Sequence, residues 1–545
     1  MERAMMRTRH DGGENGRRGA RWALALFALL AISTGADEAR ALSTPALLDT
    51  LQHTSFNFFW TQANPANGLV KDRSTAGSPC SIAATGFGLS AICIGIDHGW
   101  VTRETGRARV LTTLNTFWNG PQGSGGSGII GYQGFFYHFL DMNTATRTWD
   151  CELSSIDTAL LMAGVLDAQQ YFDGADPLDV QVRTLADNIY RRVNWEFMRN
   201  SGIALRMGWL PGTGFATFGN WIGYNEAMIL YILALGSPTY PVPTTCWNMW
   251  VSGYQWATYY GQSYVAFAPL FGHQYSHCWV DFRYVQDSYM RYRGLTYFEN
   301  SRRATLAAQA YCVANPGGFV GYGANEWGLT ASDDPISGYL AHGAPPAQND
   351  NGTITPTAAA SSIAFAPEIV IPTLHHFFDA YPQLWGPYGF KDAFNRSRNW
   401  WATDVLGIDQ GPIIMMIENY LNRAVWARFM DNADIQTGLT RAGFLRTVDV
   451  ADRPEGRAGL MTLAQNAPNP FQGAARIAYR LEQDGRVLLR LYDLRGRVVR
   501  TLVDGDLPAG DHEATVDGNG LASGVYFFRL EAHGEQVRRP CIIIN

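Results

Sequence analysis

The sequence predicts a large all-α domain, a toroid of the (α/α)6 kind, followed by a small C-terminal β-sandwich. Three observations predict it. Apolar residues recur at helical spacing from about Ser43 to Leu445. The periodicity stops at the polar stretch Asp452-Arg453-Pro454-Glu455-Gly456-Arg457, of the kind that links domains. Beyond it, short runs alternate apolar and polar residues between turn signals. At 545 residues the chain exceeds what one hydrophobic core organises, so a large unit plus a smaller one is the natural division. The expected segments are 1–41, 42–445, a linker at 446–463 and 464–545.

In the first segment, Arg17, Arg18 and Arg21 precede the apolar run Trp22 to Ile32, and Ala39-Arg40-Ala41 supplies the small-x-small pattern a signal peptidase cuts. This reads as a signal peptide on the general secretory route; Arg17-Arg18 has only part of a twin-arginine signal. The run is short for a membrane span, and no later stretch reaches the roughly 18 apolar residues that would suggest one. An exported chain with no transmembrane segment after cleavage is expected.

Helical stretches follow near 45–62, 83–98, 103–118, 154–173, 221–235, 297–315, 356–379 and 410–428, with weaker ones between, about a dozen in all. A dozen helices over roughly 400 residues is what a double ring requires. The clearest starts after Asp176, an N-cap with Pro177 in the first turn, and carries the stripe Leu178, Val182, Leu185, Ala186, Ile189 and Val193. Trp60, Trp100, Trp118 and Trp195 follow helical patterns and read as core. In the last segment, 476–481, 487–492, 498–502, 513–516, 525–530 and 537–544 read as strands; Val487, Leu489 and Leu491 alternate with Leu488, Arg490 and Tyr492.

Composition removes several functions. With 46% hydrophobic and 17% charged residues the chain folds rather than staying disordered, and a net charge of −6 offers no basic surface for a phosphate backbone, so nucleic acid is excluded as a partner. The seven cysteines include no C-x-x-C pair, which argues against a zinc ribbon or thioredoxin-like site; they read as buried small hydrophobes with at most one bridge, of undetermined pairing. Gly126, Gly128 and Gly131 match G-x-G-x-x-G, but lie in the glycine-rich 120–134 without a βαβ pattern, so a dinucleotide site is set aside in favour of a loop. No G-x-S-x-G elbow or Walker sequence occurs.

Four segments place carboxylates beside aromatic or glycine residues at element ends, as sugar sites do: Trp149 to Thr158, Asn220 to Glu226, Asn325 to Thr330 and Gly407 to Pro412. Aromatic faces stack on sugar rings while acids move protons. Glu226 precedes the apolar run Ala227 to Leu233, with Trp221 and Tyr224 just before it; apolar surroundings raise a carboxyl pKa, as a general acid near neutral pH requires. A first-turn glutamate favouring the helix dipole is the equal alternative. Asp157 and Asp409 are candidates for the second carboxylate, as base or nucleophile. Against this, Asp157 could be a buried partner of a hydroxyl or arginine, and Asp409 an N-cap ahead of Pro412. Glu152 belongs to the loop before Asp157. His273, His277 and Asp281 recur every four residues and could align as metal ligands, but hydrogen bonding among themselves or to substrate suits them better; Arg283 beside them suits a sugar hydroxyl or carboxylate.

These segments, with Gly68-Leu69-Val70-Lys71-Asp72-Arg73, Ala84 to Leu89, Leu270 to His277 and Gly352 to Ala358, resemble the glycoamylase-like family of the endo-β-1,2-glucanase type, glycoside hydrolase family 144. The resemblance spans nearly all of 44–440. It implies an (α/α)6 toroid, hydrolysis of β-1,2-glucan, no metal and no other cofactor. The glutamate of the family's W-x-G-Y-N-E segment, the leading acid there, falls on Glu226. Trp221, Tyr224, Trp327, Asp72, Arg73, Glu152, His273 and Arg283 are the expected substrate-binding residues, on a poly- or oligosaccharide, in a monomer. The C-terminal Asn466 to Phe471, Leu491-Tyr492-Asp493 and Ala522 to Tyr526 resemble type IX secretion sorting domains and the related FlgD-like immunoglobulin folds. That implies engagement of export machinery and a secreted or surface location in a Gram-negative-type bacterium, with the periplasm as alternative. The ending Arg538-Arg539-Pro540 to Asn545 departs from the usual lysine-rich form.

Overall fold

The computed structural model describes residues 42–446 and, apart from 465, 467, 469, 470, 494–496 and 534, residues 461–543. The expected signal peptide and residues 447–460 of the expected linker lie outside the described residues.

The first five long helices are α1 (Thr44–Thr61), α2 (Ile82–Asp97), α3 (Arg103–Asn119), α4 (Ser155–Tyr171) and α5 (Pro177–Arg192), within two residues of their periodic stretches. Asp176 caps α5 through the Leu178 N–H, and Val182, Leu185, Ala186 and Ile189 form its buried stripe, while Leu178 at the stripe's start is exposed. Helices such as α5 bury one face. A second group is buried all round: fourteen of sixteen residues in α2, thirteen of seventeen in α4, all nine of Met228–Gly236 and twelve of fifteen in Gly407–Leu421. A helix apolar on every side can only sit inside an outer layer. Helix α2 packs on α4, α1 and Gly407–Leu421, and α4 on α5 and Met228–Gly236. The α2–α4 approach is backbone to backbone: a Cβ on Gly164 would lie 1.9 Å from the Gly86 carbonyl oxygen.

Three stretches differ from their periodicity. The 221–235 helix begins only at Met228, because Gly223 takes φ 89° and the Asn225 side chain accepts from the Ala227 N–H, leaving Glu226 just ahead of the helix. The 356–379 stretch divides into Pro356–Ala360 and Pro367–Ala380. The 410–428 stretch starts at Gly407 and breaks at Arg423, whose φ is 64°. All seven cysteines are free and buried, so no bridge forms.

The C-terminal region is strand-rich, and all six expected strands are present, each longer than expected. One antiparallel sheet has the order Met461–Leu463, Ala474–Leu481, Gly510–Asp517; the other has Val498–Leu507, Gly485–Tyr492, Gly524–Ala532, Glu535–Ile543. Strict alternation of burial in Ala474–Leu481 points Ile477, Tyr479 and Leu481 into a core shared with Leu489, Leu491, Phe528 and Leu530 of the other sheet.

Candidate active site

The N-terminal turns of the buried helices converge on one cleft of about 350 Å³, within the usual size of a small-ligand site. Ser81 caps α2 there, Ile156 and Asp157 lie in the first turn of α4, Glu226 precedes Met228–Gly236, Tyr275 starts the short helix Tyr275–Trp279, and Ile408 lies in the first turn of Gly407–Leu421. Phe139, Phe271 and Tyr339 add aromatic walls.

Glu226 stands against these walls, and no side chain among the described residues donates to its carboxylate. Burial pushes its pKa up to about 7; its own N–H lowers it and the Asp157 charge raises it further. A carboxylic acid that keeps its proton near neutrality can give it to a leaving oxygen.

The facing carboxylates are partnered. Asp157 accepts from Ser154 Oγ at 2.5 Å, and its Oδ1 lies 3.6 Å from His138 Nε2. The other imidazole nitrogen, Nδ1, meets Glu152 Oε1 at 2.8 Å. Burial lowers the His138 pKa, but the charges of Asp157 and Glu152 outweigh it and hold it at about 9. The ring is therefore a cation at neutral pH. Burial raises the Asp157 pKa, opposed by His138 and Ser154; for Glu152 burial is outweighed by the His138 bond and the net shift is downward. His138, Glu152 and Asp157 form the only group among the described residues with mutual spacing fit for an ion, within 4.8 Å. A doubly protonated imidazole has no lone pair for a metal, and both of its N–H groups point at carboxylates.

Arg73 anchors a second acidic group, pairing with Asp72 at 3.1 Å, Asp333 at 3.0 Å and Asp404 at 3.7 Å. Behind it Asp392 accepts from the Asp333 N–H at 2.6 Å and pairs with Asp409. Burial raises both carboxyls; Asp392 raises Asp409 further, while the bond from Asp409 lowers Asp392 and the Asp333 charge raises it.

Of the residues expected from sequence, Asp72, Arg73, Asp157 and Glu226 line the cleft together, and Glu152 reaches it through His138. Asp409 lies below the surface formed by Ile408 and is buried. Five expected binding residues, Trp221, Trp327, Tyr224, His273 and Arg283, lie outside the cleft lining. Trp221, 8% exposed, donates its indole N–H to Ser155 Oγ, holding the start of α4. Trp327, fully buried, donates to Thr373 Oγ1. Tyr224 packs on His273, ring centroids 4.8 Å apart, and both are buried away from the lining. Burial pushes His273 and His277 down to about 3, so both are neutral; they bond the Phe267 carbonyl and Ser301, and Asp281 pairs with Arg283, so no metal set forms. Arg283 lines a different cavity, over Trp426. Sequence reasoning missed His138, Tyr339, Asp333, Asp392 and Asp404. Tyr275 was within reach, inside the Leu270 to His277 segment; His138 had no local signal.

Fold and site together define a helical protein with a cleft built from carboxylates and aromatic rings. The glycoamylase family model, described as "Putative glucoamylase", matches residues 219–433, and a secretion system C-terminal sorting domain matches 467–545. A crystal structure of a "putative glucoamylase" from Bacteroides uniformis is 37% identical, covering 74% of this chain and 98% of that one, with a TM-score of 0.69. An endo-β-1,2-glucanase from Chitinophaga pinensis, in complex with sophorotriose and glucose, is 29% identical over 74% of this chain and 99% of its own, with a TM-score of 0.68. An exo-β-1,2-glucooligosaccharide sophorohydrolase (non-reducing end) from Parabacteroides distasonis is 32% identical over 72% of this chain; the chain spans 57% of that curated relative's length. The chain belongs to the glycoamylase family, close to the endo-β-1,2-glucanases, and carries a C-terminal sorting domain of the type IX secretion kind. Among the described residues no helix is long and apolar enough to cross a membrane.

Proposed function

We propose that this protein is a glycoside hydrolase that cleaves β-1,2-glucan internally, with Glu226 as general acid. The carrying observation is the Glu226 carboxyl, in the cleft with no side-chain donor and raised to about 7 by burial. Glu226 gives its proton to the glycosidic oxygen as the bond to the anomeric carbon breaks. Asp157 lines the same cleft, where burial raises its pKa and the His138 charge opposes that shift, and it receives the proton of the attacking water, directly or through a second water. Asp409, buried beside Asp392, supports this wall. The chemistry uses side chains alone.

The two helix layers support an (α/α)6 arrangement for 42–445, preceded by a signal peptide at 1–41. A linker in the expected 446–463 leads to an immunoglobulin-like sandwich at 464–545, which Met461–Leu463 joins as a strand. The sorting domain supports a protein secreted or displayed at the cell surface.

The relative named as an exo-acting sophorohydrolase favours a second reading, release of disaccharide from the non-reducing end. Product analysis on linear β-1,2-glucan separates them: a ladder of oligosaccharides supports endo cleavage and disaccharide alone supports exo. Reducing-sugar release by the wild type and its loss in Glu226→Gln test the reaction class; equal release by both overturns the acid assignment.

A further inference from the structure

Trp149 is the only tryptophan among the exposed large apolar residues described, with 66% of its surface open to solvent. An indole presented this openly beside an aromatic cleft wall offers a flat apolar face to a ligand. Its backbone is unusual as well: Trp149 and Asp150, consecutive and neither of them glycine, both sit in the left-handed region, at φ 58° and 51°. Such strain persists only where surrounding structure imposes it. The imposing residue is Arg147. Its Nε donates to the Cys151 carbonyl at 2.7 Å, and one terminal nitrogen reaches the Gly126 carbonyl at 3.1 Å and Asp150 Oδ1 at 3.4 Å. The guanidinium also lies 4.9 Å from the centre of the Tyr137 ring. This clamp ties the Trp149 turn to the glycine-rich loop. Trp149 in turn leans on Phe139, ring centroids 5.2 Å apart, and Phe139 is a wall of the cleft that holds Glu226 and Asp157. The exposed indole therefore continues the aromatic wall outward, at the rim.

We propose that Trp149 is a sugar-stacking platform at the cleft mouth, a subsite for a glucose unit of a β-glucan chain beyond the units held inside. An indole face offers a flat apolar surface to the C–H face of a pyranose, and the strained, clamped turn fixes it before the chain arrives. The inference rests on the hydrolase reading of the same cleft.

The test uses the full mature chain and the variants Trp149→Ala, Trp149→Phe and Trp149→Gly. Trp149→Ala lowers kcat/KM about tenfold on long linear β-1,2-glucan and less than about twofold on the trisaccharide. Trp149→Phe restores most of the loss. Trp149→Gly shows the polymer defect of the alanine variant yet melts at or above the wild-type temperature, since glycine accepts the backbone conformation. Equal losses on polymer and trisaccharide, or no loss on either, overturn the platform. If the wild type cleaves no glucan, the hydrolase reading falls, and calorimetric binding of the same polymer then judges Trp149: weaker binding by Trp149→Ala upholds it, and unchanged binding overturns it.

Discussion

The two acidic walls of the cleft are built from the same functional group in different surroundings. Glu226 has no side-chain donor among the described residues, and burial pushes its pKa up to about 7. Across from it, Asp157 and Glu152 flank the His138 cation, and Asp72 and Asp333 flank Arg73. Desolvation dominates the first wall; desolvation opposed by a cation rules the second. Two carboxylates with environments that push their proton affinities apart are what acid and base roles require.

The strongest way to break the contrast is Glu226→Gln, which keeps the shape and removes the transferable proton. The expected loss in kcat is about 10²- to 10⁴-fold, read by reducing-sugar release. Next is His138→Gln, which removes the cation from the partnered wall. Without it Asp157 is harder to ionise, so the acid limb of the kcat/KM profile moves to higher pH and activity at pH 6 falls about tenfold or more. An unshifted acid limb would show that His138 does not govern the base.

In the wild type, activity falls above about pH 7 as Glu226 loses its proton; a basic limb that moves to lower pH in Asp157→Asn, where the charge that raises Glu226 is gone, and vanishes in Glu226→Gln assigns it. Stability carries the same signature. The folded pKa of Glu226 lies above its ordinary 4.5, so the proton contributes stability fully present below about pH 4.5 and lost as pH rises through 7. The shift corresponds to about 3 kcal/mol at most. Glu226→Gln should therefore melt above the wild type at pH 8 and not at pH 4.5.

The smallest effect sharpens the comparison within the partnered wall. Asp392→Asn replaces one member of a buried carboxyl pair, so activity changes less than about tenfold while the melting temperature at pH 8 rises. A large activity loss would instead place Asp392 in proton transfer.

Much of the fold was legible because it follows local rules. The Asp176 cap with Pro177, the single-face stripe of α5 and the alternation of Val487, Leu489 and Leu491 each depend on neighbours within a few residues. The segments holding Asp157, Glu226 and Ile408 were legible too, since each is a helix start next to an apolar run. Helix boundaries failed where a residue with positive φ intervened, as at Gly223 and Arg423.

Sequence by itself determined the two-part plan, helices then strands, and the segments whose ends form the cleft. It could not tell an aromatic ring in the core from one in the cleft: Trp221 and Trp327 sit in motifs much like that of Trp149, yet the first two spend their N–H groups on Ser155 and Thr373 inside the protein. Nor could it find His138, whose importance comes from two acids, or the bond from Arg73 to Asp333, 260 residues apart. Only the tertiary structure decided which carboxyl keeps a proton, because proton affinity is set by burial and by charges within a few ångströms, and those neighbours come from distant parts of the chain.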